Sequence, residues 1–358
     1  MLLFFPLFMS AIFTRLLFAK KRNTVSTMTR KSKKLFLLAC IVLIGTILLL
    51  RLLLPKPWQY TDTYHLIRVY MDIQDFPVQT EVIGGNNTDF QIKVDTKTIY
   101  EHLLKVRTIQ DRMTSKDPVI AHYSPSMSLR EQVDMMVTVE TFVTVCMRAN
   151  LTYFLWGGSL LGAYRHHGFI PWDDDFDLVM NSSDWRNIRD VLSRVQGYQL
   201  LVNGYSQWKF FKKDLPSVRG ESFKWPFIDI FFFTEDASHV WSLTDSLKRE
   251  LVNPKEDIFP VQFRPFEHLL VAVPCKTAII VDCVYGANEC RSSDFSHKDS
   301  KGLDPSIVER LPCSRLFNYF PFVFREQYPN SDNVIEISKI GGTILSNISV
   351  PLSCKELR

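Results

Sequence analysis

Asp173, Asp174, Asp175 and Asp177 stand within FIPWDDDFDLVM, residues 169–180, interleaved with Trp172, Phe176, Leu178 and Val179. From Asp175 onward acidic and apolar residues alternate with period two, the spacing at which side chains of a strand share a face. Asp175 and Asp177 are therefore expected to aim both carboxylates at one point while Phe176 and Leu178 enter a core. Two adjacent carboxylates need a cation. With oxygen ligands only, that cation is Mg²⁺ or Mn²⁺, hard ions that keep positions open for phosphate oxygens. Asp229 is the expected third acid, because it is a lone carboxylate in the apolar run WPFIDIFFF, where an unpaired charge would be costly.

The elements that must position these acids are legible on either side. Phe154, Leu155 and Trp156 read as a short buried strand, and Gly157, Gly158 and Ser159 let the backbone turn tightly and approach a ligand. Ser159 to Tyr164 reads as one or two helical turns, whose unpaired N–H groups favour an anion. Gly158 and Ser159 are thus expected to hold phosphate oxygens, with Gly157 a spacing residue. Arg165 and His166, between turn and acids, are expected to neutralise phosphate. Asp173 and Asp174 read as supports of the turn. A calcium loop fails, because Leu178 stands where its turn glycine belongs and Asp184 where its bidentate glutamate belongs.

A glycine-serine turn, an Asp-x-Asp strand and a third acid on a neighbouring strand form the nucleotidyltransferase arrangement. The string GGSLLGAYRHHGFIPWDDDFDLVM resembles the signature of the LicD and fukutin-related family of phospho-alcohol transferases. The resemblance continues through YSQWKFFKKD and FIDIFFF to FRPFEHLLVAVP and Tyr285-Gly286, roughly half the chain. It implies an α/β (α+β) nucleotidyltransferase-like fold, a mixed sheet with flanking helices. It also implies a CDP-linked alcohol donor (ribitol phosphate, glycerol phosphate or phosphocholine), a glycan acceptor on protein or lipid, and a shared role for Gly158, Ser159, Asp175, Asp177 and Asp229. One alternative is a glycosyltransferase that holds a nucleotide sugar through Asp-x-Asp, which the upstream turn disfavours. Another is a silent scaffold in glycan assembly, which retention of all three acids disfavours.

Elsewhere the pattern predicts a helix capped by Ser128 with Glu131 three residues on, and a second capped by Ser183 with Trp185, Ile188, Leu192 and Val195 inward. Strands are expected at 198–202, 208–211 and 227–233. IYEHLLKVRTIQDRM and WSLTDSLKREL look helical, and FQIKVDTKTIY alternates weakly.

The chain has 358 residues, 46% of them hydrophobic, enough for a substantial core. Residues 1–55 hold nine of the 42 Lys and Arg and no acid, leaving 33 bases against 38 acids in the rest. That remainder is mildly acidic, which argues against nucleic acid as a partner. LFLLACIVLIGTILLLRLLL, Leu35 to Leu54, has the length and polarity of a membrane span. The preceding Lys and Arg then place the N-terminus in the cytoplasm and the rest in the lumen of the ER or Golgi. The expected organisation is a basic tail at 1–34, a single span at 35–54, a stem with an accessory layer at 55–125, a catalytic domain at 126–300 and an extension at 301–358. The cysteines past the span, Cys146, Cys275, Cys283, Cys290, Cys313 and Cys354, suit disulfides in such a lumen. Of the sequons, the one at Asn86 is the expected glycosylation site, since those at Asn150 and Asn181 flank the acids.

Overall fold

The computed structural model describes residues 41–42, 45–46, 49, 61–86, 89–113, 115–204, 206–327 and 333–351. The chain separates into Met1–Leu54 and Pro55–Arg358. The expected span at 35–54 lies outside the described residues apart from Ile41, Val42, Gly45, Thr46 and Leu49, which are helical. Among the described residues no helix is long and apolar enough to cross a membrane.

The second unit is built on one mixed sheet. Its strands are β1 (Glu81–Gly84), β2 (Tyr153–Leu155), β3 (Asp177–Asn181), β4 (Tyr198–Val202), β5 (Gln207–Lys212), β6 (Phe227–Glu235), β7 (His239–Ser242) and β8 (Val252–Pro254). The order is β1-β4-β5-β6-β3-β2, with β7 on the far end of β6 and β8 beyond it. Only β3 and β6 run parallel; the other pairs in the sheet are antiparallel. Such parallel neighbours need a long crossover, which the helix Trp185–Ser193 and the strands β4 and β5 supply.

Helices cover the sheet for reasons visible in their sequences. Leu129–Ala149 starts at a capping box, in which the Ser128 hydroxyl accepts from Glu131 N and the Glu131 carboxylate from Ser128 N. It ends at Asn150 in the left-handed conformation (φ 52°), a position Asn tolerates. Its inner face buries Val139, Phe142 and Val145, and the Phe142 ring packs 5.6 Å from Tyr153 and 5.8 Å from Phe210. The helix Trp185–Ser193 buries Ile188 and Leu192, as its apolar spacing predicts, although the cap is the Asn181 side chain, leading a 3₁₀ turn at Ser182–Asp184.

The described residues among 61–125, expected as stem and accessory layer, pack into the same unit as the sheet. Glu81–Gly84 is the edge strand beside β4, and the helix Thr96–Gln110 packs on Leu129–Ala149. The alternation in FQIKVDTKTIY makes no extended strand, because Asp95 caps that helix first. WSLTDSLKREL is not helical either; it holds the end of β7, a series of turns and the approach to β8. A hairpin of β9 (Gln262–Phe266) and β10 (Leu269–Val273) packs against β2. Cys290 and Cys313 form a disulfide, Cys275 is disulfide-bonded as well, and Cys146 and Cys283 carry thiols.

The segment 301–358, for which the sequence indicated no role, contributes a three-stranded sheet of Phe322–Gln327, Asn333–Ile340 and Thr343–Pro351. Its Glu336 is buried yet fully paired: His167 Nε2 lies 2.8 Å away, Arg264 Nη1 2.6 Å and Arg325 Nε 2.8 Å. Burial alone would raise this carboxyl, but the His167 bond and the two guanidinium charges hold it down at about 2. This network ties the C-terminal sheet to the end of the glycine-serine helix.

Candidate active site

The acid strand begins at Asp177, two residues later than the alternation suggests, and Asp175 precedes it outside the strand. The alternation itself survives: Phe176 and Leu178 are fully buried, and Asp229 N donates to Phe176 O at 2.9 Å. In the parallel pair β3 and β6, Asp177 is the direct partner of Asp229. Asp175, Asp177 and Asp229 each bring an oxygen within 4.8 Å of the others. They line a cavity of about 430 Å³.

Such crowding shows in the acidities. Burial, and then the Asp177 charge, push Asp175 up to about 8. Burial and Asp229 raise Asp177 well above the usual carboxylate range. Two of these three oxygen donors, Asp175 and Asp177, resist losing their protons, and a divalent ion among the three would supply the missing positive charge. The donor set fits a hard ion and contains no sulfur.

The glycines are explained by the acids. Gly157 has φ +60°, and a Cβ on it would come 2.7 Å from Asp177 Oδ2; a Cβ on Gly158 would come 2.6 Å from Asp173 Oδ2. Both positions keep the helix start Gly157–His166 open to the carboxylates, so Gly157 does more than space the turn. Ser159 is also tied to the acid strand, because its Oγ accepts from Asp177 N at 2.8 Å.

Arg165 and His166, expected at a phosphate, are placed elsewhere. Arg165 donates to His166 Nε2 (2.9 Å) and to Glu289 O (3.1 Å), and His166 Nδ1 donates to Pro321 O (2.5 Å). Burial pulls Arg165 down to about 10 and drops His166 well below its ordinary value. Their polar atoms hold the C-terminal segments to the helix and do not line the acid cavity. Arg165 instead borders a larger cavity, about 640 Å³, that shares no residue with the acids and carries no carboxylate cluster. The smaller cavity holds the three-acid cluster.

Three groups at the site were not anticipated. Lys209 Nζ lies 2.6 Å from Asp229 Oδ1, and Gln207 Nε2 3.2 Å from the same oxygen. Lys209 is the direct antiparallel partner of Asp229, so Asp177, Asp229 and Lys209 form a row across three strands. Its signal was a lone lysine between Trp208 and Phe210 in an alternating strand. His297 donates from Nδ1 to Asp174 Oδ1 (2.9 Å) and faces Asp175 Oδ2 with Nε2 (3.2 Å). Burial opposes its charge, but the Asp174 bond and the charges of Asp175, Asp174 and Asp173 outweigh burial and lift it to about 9. Asp174 also accepts from His297 N and Lys298 N, so it holds this segment in place, and with Asp173 and His297 it forms a separate group of donor atoms within 4.8 Å of one another. Nothing in the sequence near His297 marked it.

Asn86, the expected glycan site, is exposed, and its side-chain oxygen accepts from Lys213 Nζ.

A parallel strand pair bearing one acid each, a third acid before it and a glycine-serine helix start against them make up the arrangement expected of a nucleotidyltransferase-like centre. Residues 150–276 match the family model described as LicD/FKTN/FKRP, nucleotidyltransferase domain, so this stretch of the chain is similar to the LicD and fukutin-related family. It is similar to the lipopolysaccharide cholinephosphotransferase LicD of Haemophilus influenzae, 42% identical over 66 residues, which are 18% of this chain and 25% of that protein. It is similar to the ribitol-5-phosphate transferase FKTN of Mus musculus, 30% identical over 139 residues, 37% of this chain and 28% of that one. The ribitol 5-phosphate transferase FKRP of Mus musculus is 23% identical over 159 residues, 44% and 32% of the two chains. The chain thus spans about a quarter to a third of the length of these relatives. The relatives are transferases of phosphocholine or ribitol phosphate, and phospho-alcohol transfer is the chemistry they have in common.

Proposed function

We propose that this protein transfers a phospho-alcohol from a CDP-linked donor to a hydroxyl of a glycan, with Mg²⁺ or Mn²⁺ held by Asp175, Asp177 and Asp229. The observation that carries this reading is the convergence of those three carboxylates within 4.8 Å in a cavity large enough for a diphosphate. The acceptor oxygen attacks the phosphorus that bears the alcohol, the bond from that phosphorus to the CMP oxygen breaks, and CMP leaves. A carboxylate of the cluster takes the hydroxyl proton. The bound ion supplies positive charge against the diphosphate. The N–H groups at the start of Gly157–His166 and the Lys209 ammonium bind phosphate oxygens, and His297 steadies Asp174 and Asp175.

The cavity favours a polyol phosphate over phosphocholine. Lys209 Nζ already sits 3.8 Å from the Phe227 ring centre and 4.8 Å from that of Phe223, covering the faces that a trimethylammonium group would use. A second cation there would be repelled. Gln207, Glu221 and Ser300 line the same cavity with hydrogen-bonding groups suited to hydroxyls, as in ribitol or glycerol phosphate.

The apolar run at 35–54 and its basic flank support an ER or Golgi membrane protein with this domain in the lumen. The test of function is incubation of the purified protein with Mn²⁺ and, in turn, CDP-ribitol, CDP-glycerol, CDP-choline and UDP-sugars. CMP release from a CDP-polyol supports the proposal. UDP release from a UDP-sugar with no CMP from any CDP-alcohol would establish the glycosyltransferase alternative, and no release from any donor would leave the scaffold.

A further inference from the structure

Among the described residues, the first helix after the apolar run, Thr63–Met71, has two unlike faces. His65, Leu66 and Val69 are buried, and the helix packs on β7. Tyr64, Ile67 and Met71 fall at i, i+3 and i+7 on the opposite side and are 61%, 51% and 72% exposed; Ile73 just beyond is 77% exposed. Two or more large apolar side chains aligned in water cost free energy unless something covers them.

This is not a loosely attached segment. The His65 ring stacks on His239 with centroids 3.7 Å apart, and its Nε2 lies 3.2 Å from Asp236 Oδ2. Arg68 Nη1 reaches the same Asp236 oxygen at 3.2 Å, and the Arg68 guanidinium carbon sits 5.0 Å from the Trp241 ring centre. Trp241 Nε1 donates to Asp72 Oδ2 at 2.9 Å, and Lys248 Nζ to Asp72 O at 2.8 Å. The inner face is pinned, so the outer face is presented with a fixed orientation.

What covers it is indicated by the chain that precedes it. Only residues 55–62 separate Leu54 from Thr63, and that length of chain reaches at most about 30 Å. If Leu35–Leu54 spans a bilayer, the helix is confined to the vicinity of the lipid surface. A tyrosine with aliphatic neighbours along one helical face is the composition that settles at the level of the headgroups. We propose that the Tyr64–Ile67–Met71–Ile73 face rests on the phospholipid bilayer and orients the catalytic unit on it. This inference rests on the membrane span and is independent of the transferase chemistry.

The test is photocrosslinking of the full chain in phosphatidylcholine nanodiscs, with p-benzoylphenylalanine in place of Ile67 and, separately, in place of the buried Leu66. Irradiation is expected to leave a lipid adduct on the peptide carrying position 67 and an adduct within the chain from position 66. A covalent dimer from position 67 would show that a second copy covers this face, and no lipid adduct there would equally overturn the proposal. Should the Ile67 variant melt well below the wild type, the probe at Met71 gives the same reading with the same outcomes.

Discussion

Asp177 and Asp229 lie directly side by side across the parallel pair β3 and β6, although 51 residues of chain stand between them. Parallel pairing is what makes this possible: it sets both carboxylates at the same end of neighbouring strands, next to the start of the helix Gly157–His166. Lys209 continues the row on β5.

Asp177→Asn removes one like charge from a buried cluster while keeping its volume. The metal-free protein is expected to melt at or above the wild-type temperature, while turnover falls by at least about 100-fold, as for loss of a principal electrostatic group. A melting curve and a CMP-release assay on the same preparation check both halves. Asp229→Asn differs, because it leaves the Lys209 ammonium without its 2.6 Å partner. It is expected to lose activity and also stability.

The pH dependence follows from the raised carboxyls. Asp175 is held up to about 8, whereas an unfolded Asp releases its proton near 4. Between those values the folded, metal-free protein binds more protons than the unfolded chain, so stability falls as pH rises from about 4 to 8. Mn²⁺ must displace those protons, so its affinity is expected to rise over the same window and its binding to release protons. Thermal melts with EDTA and with Mn²⁺ at several pH values, and calorimetry in buffers of different ionisation enthalpy, provide the check.

Gly157→Ala places a Cβ 2.7 Å from Asp177 Oδ2 on a backbone with φ +60°. The strain is expected to cost at least about 1 kcal/mol of stability. Activity should fall further than in a matched variant of equal instability far from the cavity, because Asp177 is displaced. Equal losses in the two variants would contradict this.

Arg165→Met tests the corrected placement of that residue. It leaves His166 Nε2 and Glu289 O without their donor, an expected loss of roughly 1–3 kcal/mol. The KM for the CDP-alcohol of the folded fraction should stay near the wild-type value. A raised KM with unchanged stability would return Arg165 to the phosphate.

Much of this site was legible because strands write their geometry locally. The alternation from Asp175 to Leu178 and the single acid in WPFIDIFFF each state which way a carboxylate points. Helix placement is less direct. Arg165 lies close to the acids in sequence, yet six residues at 3.6 per turn rotate it by about 240° from Ser159, onto a face that meets the C-terminal segments. His297 arrives through tertiary folding, 68 residues after Asp229, and no periodicity marks it. The edge strand Glu81–Gly84 was missed for a related reason: it is four residues long and depends on β4 for its hydrogen bonds.

The central claim is that Asp175, Asp177 and Asp229 share one divalent ion, and anomalous diffraction from crystals grown with Mn²⁺ and a CDP-alcohol tests it most directly. The expected result is a manganese peak about 2.1 Å from an oxygen of each of the three carboxylates, with a diphosphate oxygen also bound. A peak held by Asp173 and Asp174 instead, or a bound donor with no metal among the three acids, would contradict it.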